Sequence, residues 1–181
     1  METTLTHMTA GETGTWRIDS IRPITGASLE VAPRLEIITA AVAPCGGVWS
    51  LGGFRSNSRY TTKAEQASLN AVQAGLGRAQ ATRGSLIPIR KNAAWWALAQ
   101  DERRTIMEEQ SRHIAIGLEY LPAIARRLYH SRDLGEPFDF LTWFEFAPED
   151  EGKFDALVAR LRASREWEYV DREVDIRLTR V

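Results

Sequence analysis

The sequence has little of what marks several large protein classes. Cys45 is the one cysteine among 181 residues, which excludes an internal disulfide and a cysteine-rich zinc site. No stretch approaches the ~20 consecutive apolar residues that a membrane-spanning helix needs. The 23 Lys and Arg side chains are balanced by 24 Asp and Glu, so no excess positive charge is available for general nucleic-acid binding. The opening residues, METTLTH, lack the basic and apolar segments of a secretion signal, and we expect a cytoplasmic protein.

The chain does have the composition of a globular domain, 44% hydrophobic and 26% charged. Residues 1–12 are polar and include His7, and we expect a flexible N-terminal tail there. Strand patterns occur at residues 16–21, 35–40, 48–51, 86–91, 138–146 and 167–181. Apolar spacing of three and four residues predicts helices over residues 62–76, from residue 101, over residues 111–130 and from residue 148.

Three residues set predicted ends and interruptions of these elements. Pro88 places the strand at residues 86–91 at a sheet edge or makes it irregular, because proline donates no ladder hydrogen bond. Pro122 has to kink or restart the helix over residues 111–130. Asp101 is predicted to be the N-cap of the helix that follows it.

The segment from residue 138 to the C-terminus has the clearest pattern. Aromatic side chains and one threonine share a strand face: Phe138, Phe140, Thr142, Phe144 and Phe146. The helix after Pro148 turns its apolar side chains inward: Phe154, Leu157, Val158 and Leu161. A strand, a helix and a strand in this order predict an α+β fold of the ferredoxin-like kind.

The residues alone offer few chemical motifs. Phosphate-cradling, His-Glu-x-x-His zinc and covalent c-type haem motifs are missing. Cys45 lies in a glycine turn without a cationic neighbour, which favours an incidental thiol over a nucleophile. His113 lies where a charged helix becomes apolar, so it is either a core histidine or a ligand that faces an interior pocket. Trp95 and Trp96 fit ordinary core packing.

Several blocks of the sequence, taken together, resemble the chlorite dismutase family. They are LIPIRKNAAWW at residues 86–96, SRH at 111–113, YLPAIAR at 120–126, DLGEPFDFLTWFEF at 133–146 and EW at 166–167. They stand in the family's order, and the likeness extends over most of the chain from about residue 48. The short length resembles the compact, homodimeric branch of the family.

The resemblance implies a dimeric α+β barrel with one non-covalently bound haem b per subunit. Each subunit then has two ferredoxin-like halves, a truncated one at residues 13–92 and a haem-binding one at residues 93–181. On the proximal side, His113 matches the iron ligand and Glu166 the carboxylate that accepts its other ring N–H. Lys91 matches a further hydrogen-bonding position, although a surface lysine at a strand end fits the residues equally well.

On the distal side, Arg126 matches the mobile arginine that holds an anion by charge-assisted hydrogen bonds. The spacing of its block selects Arg126 over Arg127, which we expect at the surface. Gln73 resembles the glutamine that can hold this arginine. The remaining matches are Trp95 and Trp96 near the haem and the subunit interface, Tyr60 at a propionate, and Thr142 and Phe144 in the distal cavity.

The family resemblance implies an oxidoreductase that converts chlorite to chloride and dioxygen, through an oxoferryl intermediate and O–O bond formation. Its partners are then a small anionic substrate and a second copy of the chain, with no nucleic acid and no membrane. The alternative is a haem-binding, peroxidase-like or porphyrin-modifying protein whose chlorite activity is absent or incidental. The match at Arg126 argues against the porphyrin-modifying relatives, which use no distal arginine at this place.

Overall fold

The computed structural model describes residues 5–55 and 60–181. The strands are β1 (Leu5–Gly11), β2 (Trp16–Thr25), β3 (Arg34–Thr39), β4 (Trp49–Phe54), β5 (Arg83–Lys91), β6 (Ala125–His130), β7 (Phe140–Phe146) and β8 (Val170–Arg180). The helices are α1 (Lys63–Val72), α2 (Ala93–Ala97), α3 (Gln100–Arg104), α4 (His113–Glu119) and α5 (Glu151–Arg162). A π-helical turn, Thr105–Gln110, continues α3. Within the described residues, no helix is long and apolar enough to cross a bilayer.

The eight strands close into a barrel in the order β1-β3-β2-β8-β5-β7-β6-β4, with antiparallel neighbours. The set β8-β5-β7-β6 has α2 to α4 between β5 and β6, and α5 between β7 and β8, which is the ferredoxin-like arrangement. The first four strands repeat that order as β4-β1-β3-β2, but in residues 5–54, all of them described, loops replace the helices. The predicted α+β class and barrel are confirmed. The sequence assigned β5 to the N-terminal half, whereas its pairing with β7 and β8 groups it with the second set.

Two hydrophobic cores hold the barrel and position the helices. Every strand contributes an inward side chain to the first core: Met8, Trp16, Leu35, Leu51, Leu86, Tyr129, Trp143 and Ile176. The second core packs α4 and α5 against the outer face of β5 and β7, and includes Ile87, Ile116, Phe144, Phe146, Phe154 and Leu157. The predicted inward face of the helix after Pro148 is therefore confirmed.

The N-terminal segment is part of the barrel. Residues 5–11 form β1, which pairs with both β3 and β4, and Met8 and Ala10 are fully buried. His7 is only 6% exposed. The prediction of a flexible tail is wrong for these residues, because the alternating polar side chains of β1 gave no sign of its two strand partners. Residues 1–4 lie outside the described residues.

Pro88 does not mark a sheet edge, because β5 lies between β7 and β8 in a closed barrel. The ladder between β5 and β8 is interrupted between Leu86 and Ile89. The missing N–H of proline falls in that interruption, which is the irregularity that the sequence predicted as the alternative to an edge.

The predicted helix over residues 111–130 is wrong in its second part. α4 ends at Glu119, and residues 125–130 form β6, which pairs with β7. The hydrogen bonds of β6 come from a strand that a local sequence window does not contain. Asp101 lies in the first turn of α3, whose N-cap is Ala99.

Candidate functional site

A deep cavity lies between α1, α4, α5 and the outer face of β5, β6 and β7. Its volume is about 940 Å³, within the ~300–1,000 Å³ typical of sites for sizeable organic ligands. The predicted site residues that line it are Tyr60, Gln73, Lys91, Trp95, His113, Arg126, Thr142, Phe144 and Glu166. Trp96 does not line it.

α4 begins at His113 and thereby presents this residue to the cavity. Arg112 precedes it in a left-handed conformation (φ 54°) and gives no side-chain cap. Glu108 supplies the cap instead, accepting the N–H of Ile114 at 2.7 Å and that of Ala115 at 3.3 Å. Because a carboxylate is favourable at a helix N-terminus, Glu108 helps to fix the position of His113. The sequence analysis missed this residue, since its partner groups are backbone atoms.

His113, Glu166 and Lys91 form a hydrogen-bonded chain at one wall of the cavity. Nδ1 of His113 lies 2.6 Å from Oε2 of Glu166, and Nζ of Lys91 donates to Oε1 at 2.9 Å. The backbone N–H of Glu166 donates to Oγ of Ser111 at 2.9 Å. Because a carboxylate only accepts, Nδ1 carries the imidazole proton and Nε2 keeps its lone pair for a ligand.

The charge of Glu166 is maintained inside the protein. Burial on its own would raise the pKa of Glu166, but the contacts of its carboxylate with His113 and Lys91 outweigh burial and lower this pKa to about 2. Glu166 is therefore an ionised acceptor at neutral pH. Such an acceptor makes the imidazole a stronger electron donor to a metal.

Lys91 is a buried member of this chain and not a surface lysine. Its side chain is 4% exposed, and Nζ lies 4.4 Å from the centroid of the Trp95 ring and 5.5 Å from that of Trp167. Tyr60 packs edge-on against Trp95 with ring centroids 6.2 Å apart. Nε1 of Trp95 is buried and has no hydrogen-bond partner in the part of the chain that the structure describes.

Trp167 is a second residue that sequence reasoning did not assign to the site. Its ring stacks on His113 at a centroid distance of 6.3 Å. Nε1 of Trp167 donates to Glu173 at 2.7 Å, and Arg162 donates to the same carboxylate at 2.8 Å. Glu173 is fully buried although it stands on the polar positions of β8, so the alternation of that strand gave no signal for it.

Trp96 lies beside the cavity and not in its wall. Its ring packs 3.8 Å from the guanidinium carbon of Arg132 and stacks on Phe140 at 6.1 Å. Nε1 of Trp96 donates to Asp139 at 3.2 Å. Asp139 also accepts the backbone N–H of Lys91 at 2.7 Å. Trp96 and Lys91 therefore share one buried carboxylate as hydrogen-bond acceptor.

Arg126 extends from β6 into the cavity as a cation. Among the described residues no carboxylate lies within ion-pair distance of its guanidinium. Burial lowers the pKa of Arg126, but arginine starts so high that the group stays charged. Its guanidinium lies over Gly117 of α4, where an added methyl would sit 3.8 Å from Cζ.

Gln73 meets the backbone of Arg126 and not its guanidinium. Nε2 of Gln73 donates to the carbonyl oxygen of Arg126 at 3.0 Å. Gln73 is the C-cap of α1, which ends at Val72, four residues before the predicted end. The structure thus brings the two predicted distal residues together through a contact that the sequence did not foresee.

The remaining lining follows the alternation of β7. Phe140, Thr142 and Phe144 line the cavity as expected, whereas Phe138 precedes the strand and packs inside the barrel. Arg127, which we expected at the surface, is half-buried and also contributes to the lining.

The fold and the site define an α+β barrel protein whose cavity combines a carboxylate-oriented histidine with an arginine that has no carboxylate partner among the described residues. The family model described as chlorite dismutase matches residues 30–181. The chain therefore belongs to the chlorite dismutase family.

Three comparisons place the chain among its relatives. The dimeric chlorite dismutase of Nitrobacter winogradskyi is 57% identical with a TM-score of 0.93, over 97% of this chain and 99% of that one. A chlorite dismutase of Ideonella dechloratans is 34% identical over 122 residues, which are 66% of this chain but only 41% of that relative. A mutant chlorite dismutase of Candidatus Nitrospira defluvii, 18% identical with a TM-score of 0.67 over 100% of this chain and 92% of that one, shares the fold.

Proposed function

We propose that the protein is a haem b enzyme that converts chlorite to chloride and dioxygen. One observation carries the proposal. The cavity combines His113, whose Nδ1 is held 2.6 Å from the buried carboxylate of Glu166, with Arg126, which has no carboxylate partner among the described residues. A metal-bound cofactor and an anion are the two ligands that such a pair of groups suits.

The residues present fit a haem. Nε2 of His113 would bind the haem iron, because Nδ1 is engaged with Glu166. The apolar lining from β5, β7 and α5 suits a porphyrin. The buried Nε1 of Trp95 lacks a partner within the described chain, and a haem carboxylate would supply the acceptor.

Glu166 and Lys91 would set how strongly His113 donates electrons to a bound haem iron. The ionised Glu166 accepts a hydrogen bond from Nδ1–H of His113 and makes Nε2 a stronger electron donor. Lys91 donates to the other oxygen of the same carboxylate, at 2.9 Å, and so limits how far the Nδ1 proton shifts toward Glu166. A bound haem supplies the redox chemistry, which comprises oxygen-atom transfer from chlorite and formation of the O–O bond.

Arg126 binds and orients the anion. Its charge attracts chlorite into a partly apolar cavity, and its planar N–H groups donate charge-assisted hydrogen bonds to oxygen atoms. The same donors would also keep a chlorine-containing fragment of the anion within the cavity. Retention matters because a hypochlorite-level fragment that escapes oxidises the surrounding Trp and Met side chains.

One haem b per subunit, a homodimer and a cytoplasmic location belong to the same proposal. The dimeric relative, at 57% identity over nearly the whole of both chains, supports the homodimer. We expect the subunit contact near Trp96, which packs on Arg132 and Phe140, because Trp95 and Trp96 resemble the family's tryptophan pair near the haem and the subunit interface.

Oxygen evolution with haem-loaded protein tests the proposal. Adding chlorite should release dioxygen and chloride in equal amounts, and the haem spectrum should return to its resting form. His113→Ala is the control, because it removes the axial ligand. Haem binding without oxygen release would refute the chlorite activity and favour the haem-binding, peroxidase-like or porphyrin-modifying alternative.

A further inference from the structure

Residues 73–82 connect α1 to β5 and lie beside the start of β6, next to Arg126. A buried carboxylate holds this segment in place by hydrogen bonds. Glu145 of β7 is 6% exposed. Its Oε2 accepts the backbone N–H of Gly77 at 2.6 Å and a guanidinium N–H of Arg180 at 3.3 Å. Its Oε1 accepts Nε1–H of Trp143 at 2.9 Å. Three donors thus converge on one carboxylate that lies on the barrel side of β7.

The same segment forms hydrogen bonds with backbone carbonyls on both sides of Arg126. Gln73 donates to the carbonyl of Arg126 at 3.0 Å, and Arg78 donates to the carbonyl of Ala123 at 2.9 Å. The carbonyl of Arg78 accepts from Arg180 at 3.2 Å. Residues 73–82 therefore form a strap over the turn that leads into β6.

This strap matters because the side chain of Arg126 has no ion-pair partner among the described residues to place it. Its reach into the cavity depends on where its backbone lies. Glu145 is opposite Ala125 in the register of β6 and β7, one residue from Arg126. The carboxylate is therefore adjacent to the backbone that it stabilises through the strap.

We propose that Glu145 is a positioning residue for Arg126, acting through the strap of residues 73–82. The inference rests on the proposed anion-binding role of Arg126. A carboxylate is required because all three of its partners are donors. A glutamine amide would turn an N–H group toward one of them and leave that donor unpaired.

Fluoride binding to the ferric haem protein tests this inference without chlorite. We compare wild type, Glu145→Gln, Arg126→Ala and the double variant by absorbance titration. Glu145→Gln should weaken fluoride about fivefold, a size typical of residues that act on a site through others. In the Arg126→Ala background the same change should have no effect, because the group that it positions is gone. Glu149→Gln, at an exposed position, is the matched control and should equal wild type.

The outcomes separate this inference from the proposed function. Unchanged fluoride affinity in Glu145→Gln, or an equal loss with and without Arg126, overturns the positioning role. A different result is that the four proteins show the expected fluoride affinities while the wild type releases no oxygen from chlorite. This result would leave the inference intact and refute the proposed function.

Two further measurements keep the inference testable if Glu145→Gln folds poorly or haem does not bind. Arg78→Met leaves Glu145 in place but removes the hydrogen bond to Ala123, and should reproduce the Arg126-dependent loss of fluoride affinity. In the haem-free protein, either substitution should speed hydrogen exchange of the backbone amides in residues 121–128. Unchanged exchange and unchanged fluoride binding in Arg78→Met would contradict the role of the strap.

Discussion

At the scale of single residues, the pairing of His113 with Glu166 is the feature on which the site depends. The imidazole is oriented by a carboxylate that stays ionised although it is buried, because Lys91 and His113 stabilise the charge. The sequence resemblance pointed to all three residues. The resemblance did not indicate how deeply these residues are buried. Burial strengthens the hydrogen bond between His113 and Glu166, which would be weak at a surface.

Replacing Glu166 by Gln should keep the fold but weaken the ligand. The amide accepts a weaker hydrogen bond than the carboxylate and makes His113 a poorer electron donor. We expect the ferric–ferrous midpoint potential to rise, and haem affinity or activity to fall by about 10–100-fold. Spectroelectrochemistry and haem titration measure both quantities. Glu168→Gln, two residues away and exposed, should leave them unchanged, and an unshifted potential in Glu166→Gln would contradict the assignment.

Replacing Arg126 by Ala should leave haem binding intact but remove anion retention. A charge-assisted hydrogen bond contributes ~1.5–3 kcal/mol, so we expect a loss of about tenfold or more in kcat/KM, or faster inactivation during turnover. Arg126→Lys keeps the charge without the planar donor pair, and its kcat/KM should lie between those of wild type and Arg126→Ala. Oxygen-electrode traces under multiple turnovers check this order. An alanine variant as active and as durable as the parent would exclude Arg126 from the reaction.

At the scale of elements, the start of α4 depends on a carboxylate outside the helix. Glu108 caps the N–H groups of Ile114 and Ala115, directly after the axial residue His113. Glu108→Ala should lower the free energy of unfolding by ~1 kcal/mol and speed haem dissociation. Chemical denaturation of the haem-free protein and haem transfer to a scavenger measure these effects. The exposed neighbour gives the control Glu109→Ala, and equal effects of both variants would contradict the capping role.

The contact between α1 and α3 is pH-sensitive. Arg104 donates to both oxygens of Glu65 at 2.8 and 2.6 Å, and these hydrogen bonds lower the pKa of Glu65 to about 2 from 4.5. A depressed folded-state pKa stabilises the protein above the unfolded-state pKa, and this contribution is lost as the pH falls toward about 2. The free energies of unfolding of wild type and Glu65→Gln should therefore differ near pH ~6 and converge in strong acid. A difference that is constant with pH would contradict this ion pair.

β6 shows what sequence reasoning at the element scale leaves out. Residues 125–130 belong to the predicted helix over residues 111–130, in which Pro122 was expected only to kink or restart the helix. The pairing of β6 with β7 and, through Phe54 and His130, with β4 decides the outcome. These partners are distant in sequence, and local periodicity does not contain them.

At the scale of the whole molecule, the α+β class and the barrel were predictable from the C-terminal pattern and the family resemblance. The reduced N-terminal half was less so. β1 reads as a polar tail because its buried inward positions, Met8 and Ala10, alternate with polar residues, and its partners β3 and β4 come later in the chain. For Pro88 the predicted sheet edge is wrong, because the barrel is closed, whereas the alternative prediction of an irregular strand agrees with the gap in the ladder with β8.

The main site residues were predictable from the family resemblance, whereas residue type and spacing alone left His113 between a core histidine and a ligand. His113, Glu166, Lys91 and Arg126 do line one cavity. Trp167, Glu108 and Glu145 were not found, because each acts on a site residue or its backbone through a contact that depends on tertiary structure. What these residues share is a hydrogen bond or ring contact that only the folded structure reveals.

The formation of dioxygen from one chlorite ion is the central claim. Chlorite labelled with ¹⁸O, given to haem-loaded protein in unlabelled water, tests it by mass spectrometry of the gas released. If the anion fragment is retained in the cavity beside Arg126 until the O–O bond forms, the dioxygen carries two labelled atoms. Dioxygen that contains oxygen from water, or the absence of dioxygen, would contradict the account.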